Sequence, residues 1–322
     1  MMSRFWSGAE IVMDPILQLP PGLPPHDPAD LEPAPHRIVA EWPEGTFVEN
    51  LAALADGQVI VSVLSGARLD RVSIDGAVSL LHQFQAPPTG LAEVDGALFV
   101  AVGEPGAGEA DLWRVDAATG QAEVWMPISG SIFANGVTTF DRGRLLVADS
   151  WLGRLLLVDL TTKKTTVWLE DERLTRAPGI DLLPGANGVK RCRGEVTVSS
   201  TGRALLLRTD INSDGTAGPL EILAERTRVD DLAYDRNGAL YLTTHIGHSL
   251  DRLSVGGRRT SLGGPEQGLA GSTACAFGRT AADRTALFVT TTGGIVTPVD
   301  GTLQTAKLVR LDVGAEGWPV AL

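Results

Sequence analysis

Hydrophobic and polar positions along this chain change over in short bursts, not in helical stripes. An apolar lead-in, a turn carrying glycine and a β-branched run recur at ~40 to 50 residues, the period of a four-stranded propeller blade. The first copy runs from Glu49-Asn50-Leu51 through Asp56-Gly57 to Val59-Ile60-Val61-Ser62. The second runs from Thr89-Gly90-Leu91 through Asp95-Gly96 to Leu98-Phe99-Val100-Ala101, and the third from Asn135-Gly136-Val137 through Gly143 to Leu145-Leu146-Val147-Ala148-Asp149. Asn187-Gly188-Val189 and Asp230-Asp231-Leu232 open the fourth and fifth, which turn at Arg193-Gly194 and Asn237-Gly238. A sixth, Thr273 to Gly278, reaches Leu287-Phe288-Val289-Thr290 through a longer turn. The pattern predicts an all-β fold, a six-bladed β-propeller over residues 36–322, with two stacked β-domains as the alternative.

Strands with polar turns, such as Arg154 to Asp159 and Thr165 to Trp168, fall between the copies and supply the outer half of each blade. Arg37 to Trp42 precedes the first full copy and is expected to become the outer strand of the last blade, closing the ring and hiding its open edge. Residues 1–35 hold eight prolines from Pro15 to Pro35, so they read as an extended proline-rich N-terminal arm.

Composition fits that reading and removes others. The chain has 322 residues, 43% hydrophobic and 20% charged, with 37 glycines for tight turns. A formal charge of −12 repels phosphate backbones, so a nucleic-acid partner is not expected. Cys192 and Cys275 are too few and too far apart for a disulfide framework. No signal-peptide pattern and no apolar run of about 18 residues is found, so the expectation is a cytoplasmic protein with no membrane partner and a small-molecule substrate. Nucleophile-elbow, phosphate-loop and dinucleotide motifs are lacking too.

Register supplies the candidate chemistry. Glu49, Asn135, Asn187 and Asp230 stand seven or eight residues before Gly57, Gly143, Gly194 and Gly238. Inner strands of a propeller start at one end of the central channel, so these four oxygen-bearing side chains are expected to converge there. Asn-Gly is also a strong turn signal, so Asn135-Gly136 and Asn187-Gly188 can be read as simple turns. Acids and amides meeting on a narrow axis need a partner, and a cation is the simplest. The all-oxygen set favours calcium, or another divalent cation such as magnesium, over zinc. Loops at the same mouth offer His245 as a proton shuttle, with Thr89, Phe133 and Trp151 as substrate-binding positions. Asp230 and Asp231 are the candidate proton acceptors.

Phe47-Val48-Glu49-Asn50-Leu51-Ala52, Ala134-Asn135-Gly136-Val137, Ala186-Asn187-Gly188-Val189 and Val229-Asp230-Asp231-Leu232-Ala233 carry a resemblance. In this order they resemble the gluconolactonase, regucalcin and senescence-marker-protein family of six-bladed propellers, over roughly residues 37–315, and the paired asparagines are similar to paraoxonase-type lactonases. The resemblance implies Glu49, Asn135, Asn187 and Asp230 as metal ligands, with Asp231 a candidate fifth. It also implies metal-dependent hydrolysis of a lactone or related ester. Two departures stand out: Glu49-Asn50-Leu51 where many members have Glu-Gly-Pro, and Ala86-Pro87-Pro88-Thr89 where sugar-lactone enzymes place Arg and Asn. An apolar substrate is therefore expected over a sugar lactone. Non-hydrolytic cyclisation or condensation of a natural product, and a binding propeller without turnover, are the alternatives.

Overall fold

The computed structural model describes residues 23–180 and 183–319. Six antiparallel sheets follow one another along the chain, so the expected propeller is present. Their innermost strands are Val48–Ala53, Pro88–Val94, Ala134–Asp141, Ala186–Cys192, Leu232–Tyr234 and Ser272–Phe277. Each pairs with a second strand that is almost wholly buried, such as Val59–Val63 or Leu240–Thr244, because it lies between two neighbouring sheets. Sheet-to-sheet packing explains why those second strands read as nearly continuous apolar runs: both of their faces are core.

Ring closure uses both ends of the described chain. His36–Glu44 pairs antiparallel with Thr305–Asp312, giving blade six its outer strand from the start of the sequence. Trp42 from that strand is buried and donates to Asp70 of blade one at 2.9 Å, tying the closing blade to the opening one. Of the expected arm, residues 1–22 lie outside the described residues. Of residues 23–35, Asp30–Leu31 adds a parallel fifth strand to blade five beside Arg259–Gly263. Upstream, the Asp27 carboxylate takes a two-pronged bond from Arg226, both at 2.6 Å.

Around the axis the inner strands approach one another very closely. A Cβ on Gly90 would lie 2.2 Å from the Asn135 carbonyl oxygen, and one on Gly136 would lie 2.3 Å from that of Asn187. Gly188 stands in the same relation to Asp230, at 2.6 Å. None of these three glycines has a positive φ, and all lie inside strands, so the Asn-Gly pairs are not turns. Glycine is required there because the next blade's backbone leaves no room for a side chain.

Gly136→Ala is therefore expected to cost about 2–4 kcal/mol by forcing two inner strands apart. Gly194, in a hairpin with open space where a methyl group would project, is the control, and Gly194→Ala should stay within ~0.5 kcal/mol. Chemical denaturation of both variants checks this, and equal stabilities would contradict the close-approach account.

Candidate functional site

Register shifts in the pairing of inner and second strands set the direction of the channel side chains. They fall at Val48/Asn50, Pro88/Leu91, Ala134/Val137, Ala186/Val189 and Ser272/Cys275, one level in five blades. A bulge there turns Glu49, Thr89, Asn135, Asn187 and Thr273 out of the regular alternation at one end of the channel. In blade five Asp230 and Asp231 just precede the inner strand, held by Asp230 N–H to Thr243 O at 2.8 Å and Thr243 N–H to Asp231 O at 3.0 Å.

Hydroxyls then stitch this level together from blade to blade. Ser62 donates to the Thr89 carbonyl at 2.9 Å, Ser199 to that of Asp230 at 2.9 Å and Thr243 to that of Thr273 at 2.7 Å. Thr273 completes the circuit by donating to Val48 O at 2.7 Å. Thr89 belongs to the same belt: it is buried and its hydroxyl donates to Ala134 O at 2.9 Å, so that proton is not available to a ligand.

The four predicted channel donors differ in how well they are satisfied. Asn187 Nδ2 donates to Asp230 Oδ1 and, at 3.1 Å, to Thr201 Oγ1, while its own Oδ1 has no hydrogen bond among the described residues. Asp230 Oδ2 lies 3.3 Å from His245 Nδ1. The side chains of Glu49 and Asn135 form no hydrogen bond or ion pair among the described residues. Burial, then the negative charges of Asp230 and Asp231, push the Glu49 carboxyl well above its usual range. An unpartnered carboxyl and amide beside a second carboxylate and a free amide oxygen fit a hard, oxygen-seeking cation such as calcium. Among the described residues no three His, Cys, Asp or Glu side chains form a metal-binding group, so a cation here would depend on the two amides as well as the two acids.

Two adjacent carboxylates part company. Asp230 faces the mouth, whereas both oxygens of Asp231 are held by Lys190 Nζ, at 2.6 and 2.9 Å. Burial raises the Asp231 carboxyl in spite of that ammonium. Lys190 escaped the sequence reading, although a lysine inside the buried inner strand Ala186–Cys192 was the available signal.

His245 is buried and fixed on three sides. Nε2 lies 3.0 Å from Thr292 Oγ1, Nδ1 faces Asp230, and the Phe47 ring meets it edge-on at 5.4 Å. Phe133 and Trp151 do come together, in a T-shaped contact at 6.1 Å, and the Arg176 guanidinium lies over the indole at 4.3 Å. Asp149 is a loop staple, paired with Arg154 at 3.0 Å. The mouth thus carries an acid–imidazole pair with aromatic side chains on the blade-three loops. A cavity of about 510 Å³ lies elsewhere: its walls begin two or three residues further along each inner strand, at Leu51, Leu91, Val137, Lys190, Ala233 and Cys275.

Solved structures with this arrangement of blades include regucalcin of Agrobacterium tumefaciens, described as a calcium-binding protein. It superposes with a TM-score of 0.70 at 17% identity, covering 91% of this chain and 99% of that one. The fold is that of the regucalcins and gluconolactonases. A gluconolactonase of Xanthomonas campestris agrees, with a TM-score of 0.66 at 17% identity over 92% of this chain and 98% of its own. In sequence, a putative hetero-Diels-Alderase of a Phoma species is 25% identical over 89% of this chain and 92% of its own length. No family model matches the chain.

The raised Glu49 carboxyl gives a pH test. A carboxyl whose folded pKa lies above its unfolded value of 4.5 contributes stability that is fully present below that value and is lost as pH rises through the folded pKa. Glu49→Gln removes that loss. In chelator, the variant should melt above the wild type at pH 8, on the order of a few degrees, and the gap should close towards pH 4.5. Calcium should stabilise the wild type, by about 2.7 kcal/mol at a hundredfold excess over Kd, and the variant much less. Melting curves that ignore both pH and calcium would sink the axial-cation reading.

Proposed function

We propose that this chain is an enzyme that hydrolyses an apolar lactone or related ester at the channel mouth, with a divalent cation, calcium in the first instance, held by Glu49, Asn135, Asn187 and Asp230. The observation that carries the reading is the Asp230–His245 pair, with Nδ1 at 3.3 Å from Oδ2, beside the unpartnered Glu49 and Asn135. When bound by these four oxygens, a divalent cation would supply a Lewis acid for the substrate carbonyl. Asp230 is the proton acceptor: as the oxygen of water bonds to the carbonyl carbon, a water proton passes to its carboxylate, and the departing alkoxide takes a proton back when the carbon–oxygen bond breaks. His245 is a positioning residue, since both ring nitrogens are engaged and its Nδ1 holds Asp230 in place. Asn187 fixes the other Asp230 oxygen. Asp231, with both of its oxygens paired to the Lys190 ammonium, sets the charge beneath the cluster.

Phe133 and Trp151 favour an apolar acyl or ring group, and the buried Pro87 and Pro88 offer no side-chain hydrogen-bond partner to a sugar hydroxyl. A second reading, non-hydrolytic cyclisation, is favoured by one observation, the full-length similarity to the putative hetero-Diels-Alderase. In that reaction the same aromatic mouth orients an apolar polyene and carbonyl partner, and no water is consumed.

The two readings separate on one assay. Calcium-loaded protein is given a panel of aryl-substituted and alkyl lactones and esters, with gluconolactone included, in ¹⁸O-water. Hydrolysis should favour the apolar members, place ¹⁸O in the product carboxylate, and fall about 10²- to 10⁴-fold in Asp230→Asn. A preference for gluconolactone contradicts the apolar assignment. If nothing on the panel turns over while calcium still stabilises the protein, hydrolysis is rejected in favour of the second reading.

A further inference from the structure

The cavity of about 510 Å³ lies at the end of the channel away from Asp230 and His245, and its lining charge is opposite to that of the chain. In a protein of net charge −12, five cationic side chains face this one space: Lys190, Arg191, Arg236, Arg279 and Arg284. Among the described residues two of the lining side chains are acidic, Glu93 and Glu316. Glu93 is taken by Arg279 at 2.5 Å, and Glu316 is shared between Arg236 at 3.2 Å and Arg284 at 3.1 Å. Lys190 is answered by Asp231, whereas Arg191 has no carboxylate partner among the described residues and its buried Nε has no acceptor. Two positive charges remain in excess. Between them the walls are apolar, formed by Leu91, Val137, Phe277 and Trp318.

We infer that this lower vestibule is a second ligand site, specific for a small organic anion, a carboxylate with an apolar body. A space of this volume suits a ligand of that size, and guanidinium groups match a carboxylate with two parallel hydrogen bonds. The excess charge draws the anion in, and low-dielectric walls around it strengthen the attraction. Arg191 is the anchor, because its guanidinium, 5.8 Å from the centroid of the Phe140 ring, is a lining cation with no carboxylate partner among the described residues. The apolar body then lies along Phe277 and Trp318. Nothing in this assignment depends on the chemistry at the mouth.

Titration calorimetry on the full chain at low salt tests it with three probes: octanoate, 1-octanol and inorganic phosphate. Octanoate should bind one to one, at least tenfold more tightly than either of the others, and should weaken about tenfold in Arg191→Gln, with circular dichroism confirming that the variant is folded. Arg284→Gln, on the exposed rim, keeps the question open to measurement if Arg191→Gln fails to fold, and should weaken octanoate severalfold. Trp151→Ala, at the opposite mouth, should bind octanoate as the wild type does. Absence of octanoate binding overturns the site. Equal binding of octanol removes the need for an anion, equal binding of phosphate removes the need for an apolar body, and a loss confined to Trp151→Ala moves the ligand to the mouth; each of these overturns the proposal.

Discussion

Close approach of the inner strands at the channel axis is the constraint on which the remaining features depend. Gly90, Gly136 and Gly188 let the backbones of blades two to five touch in turn at the level of the channel residues. At that same level Ser62, Ser199, Thr243 and Thr273 donate to carbonyls across the blade boundary. Buried backbone oxygens that the bulges release from regular pairing thus find partners, as buried polar groups must. The belt is rigid because it is satisfied, and rigidity is what holds unsatisfied side chains, Glu49 above all, in a place they would otherwise leave.

Much of this was legible in the chain because the repeat carries its own ruler. Counting back from hairpin glycines places Glu49, Asn135, Asn187 and Asp230 in one register, and the bulges put that register at one end of the channel. The leftover strand near Arg37 found its partner in blade six as expected. What was not legible is pairwise. Asp230 and Asp231 are neighbours of the same type, and only the three-dimensional placement of Lys190, on another blade, assigns them opposite surroundings. Asn-Gly was ambiguous for a related reason: glycine marks a turn and a close packing contact with the same letter, and the distinction lies in the neighbouring strand.

The channel is electrically polarised along its length. Carboxylates gather at the mouth, arginines at the lower vestibule, and the Lys190–Asp231 pair lies between them. Buried ion pairs contribute little net stability, so this half-buried one is better understood as the point where the acidic mouth gives way to the basic vestibule. Asp231 adds its negative charge to that of Asp230 beside Glu49, and the Lys190 ammonium on its two oxygens offsets part of that repulsion.

Closure of the ring by strands from opposite ends of the chain has a consequence in time. His36–Glu44 cannot pair until Thr305–Asp312 has been made. At a synthesis rate of roughly 5 to 20 residues per second, the early strand waits roughly 15 to 50 s with an open edge, long after the blades between them have left the ribosome. Its alternate faces carry His36, Arg37, Glu41 and Glu44 as well as Ile38 and Trp42, and charges along an unpaired strand oppose pairing with a second nascent chain. The same residues that decorate the finished surface thus guard the unfinished one during translation.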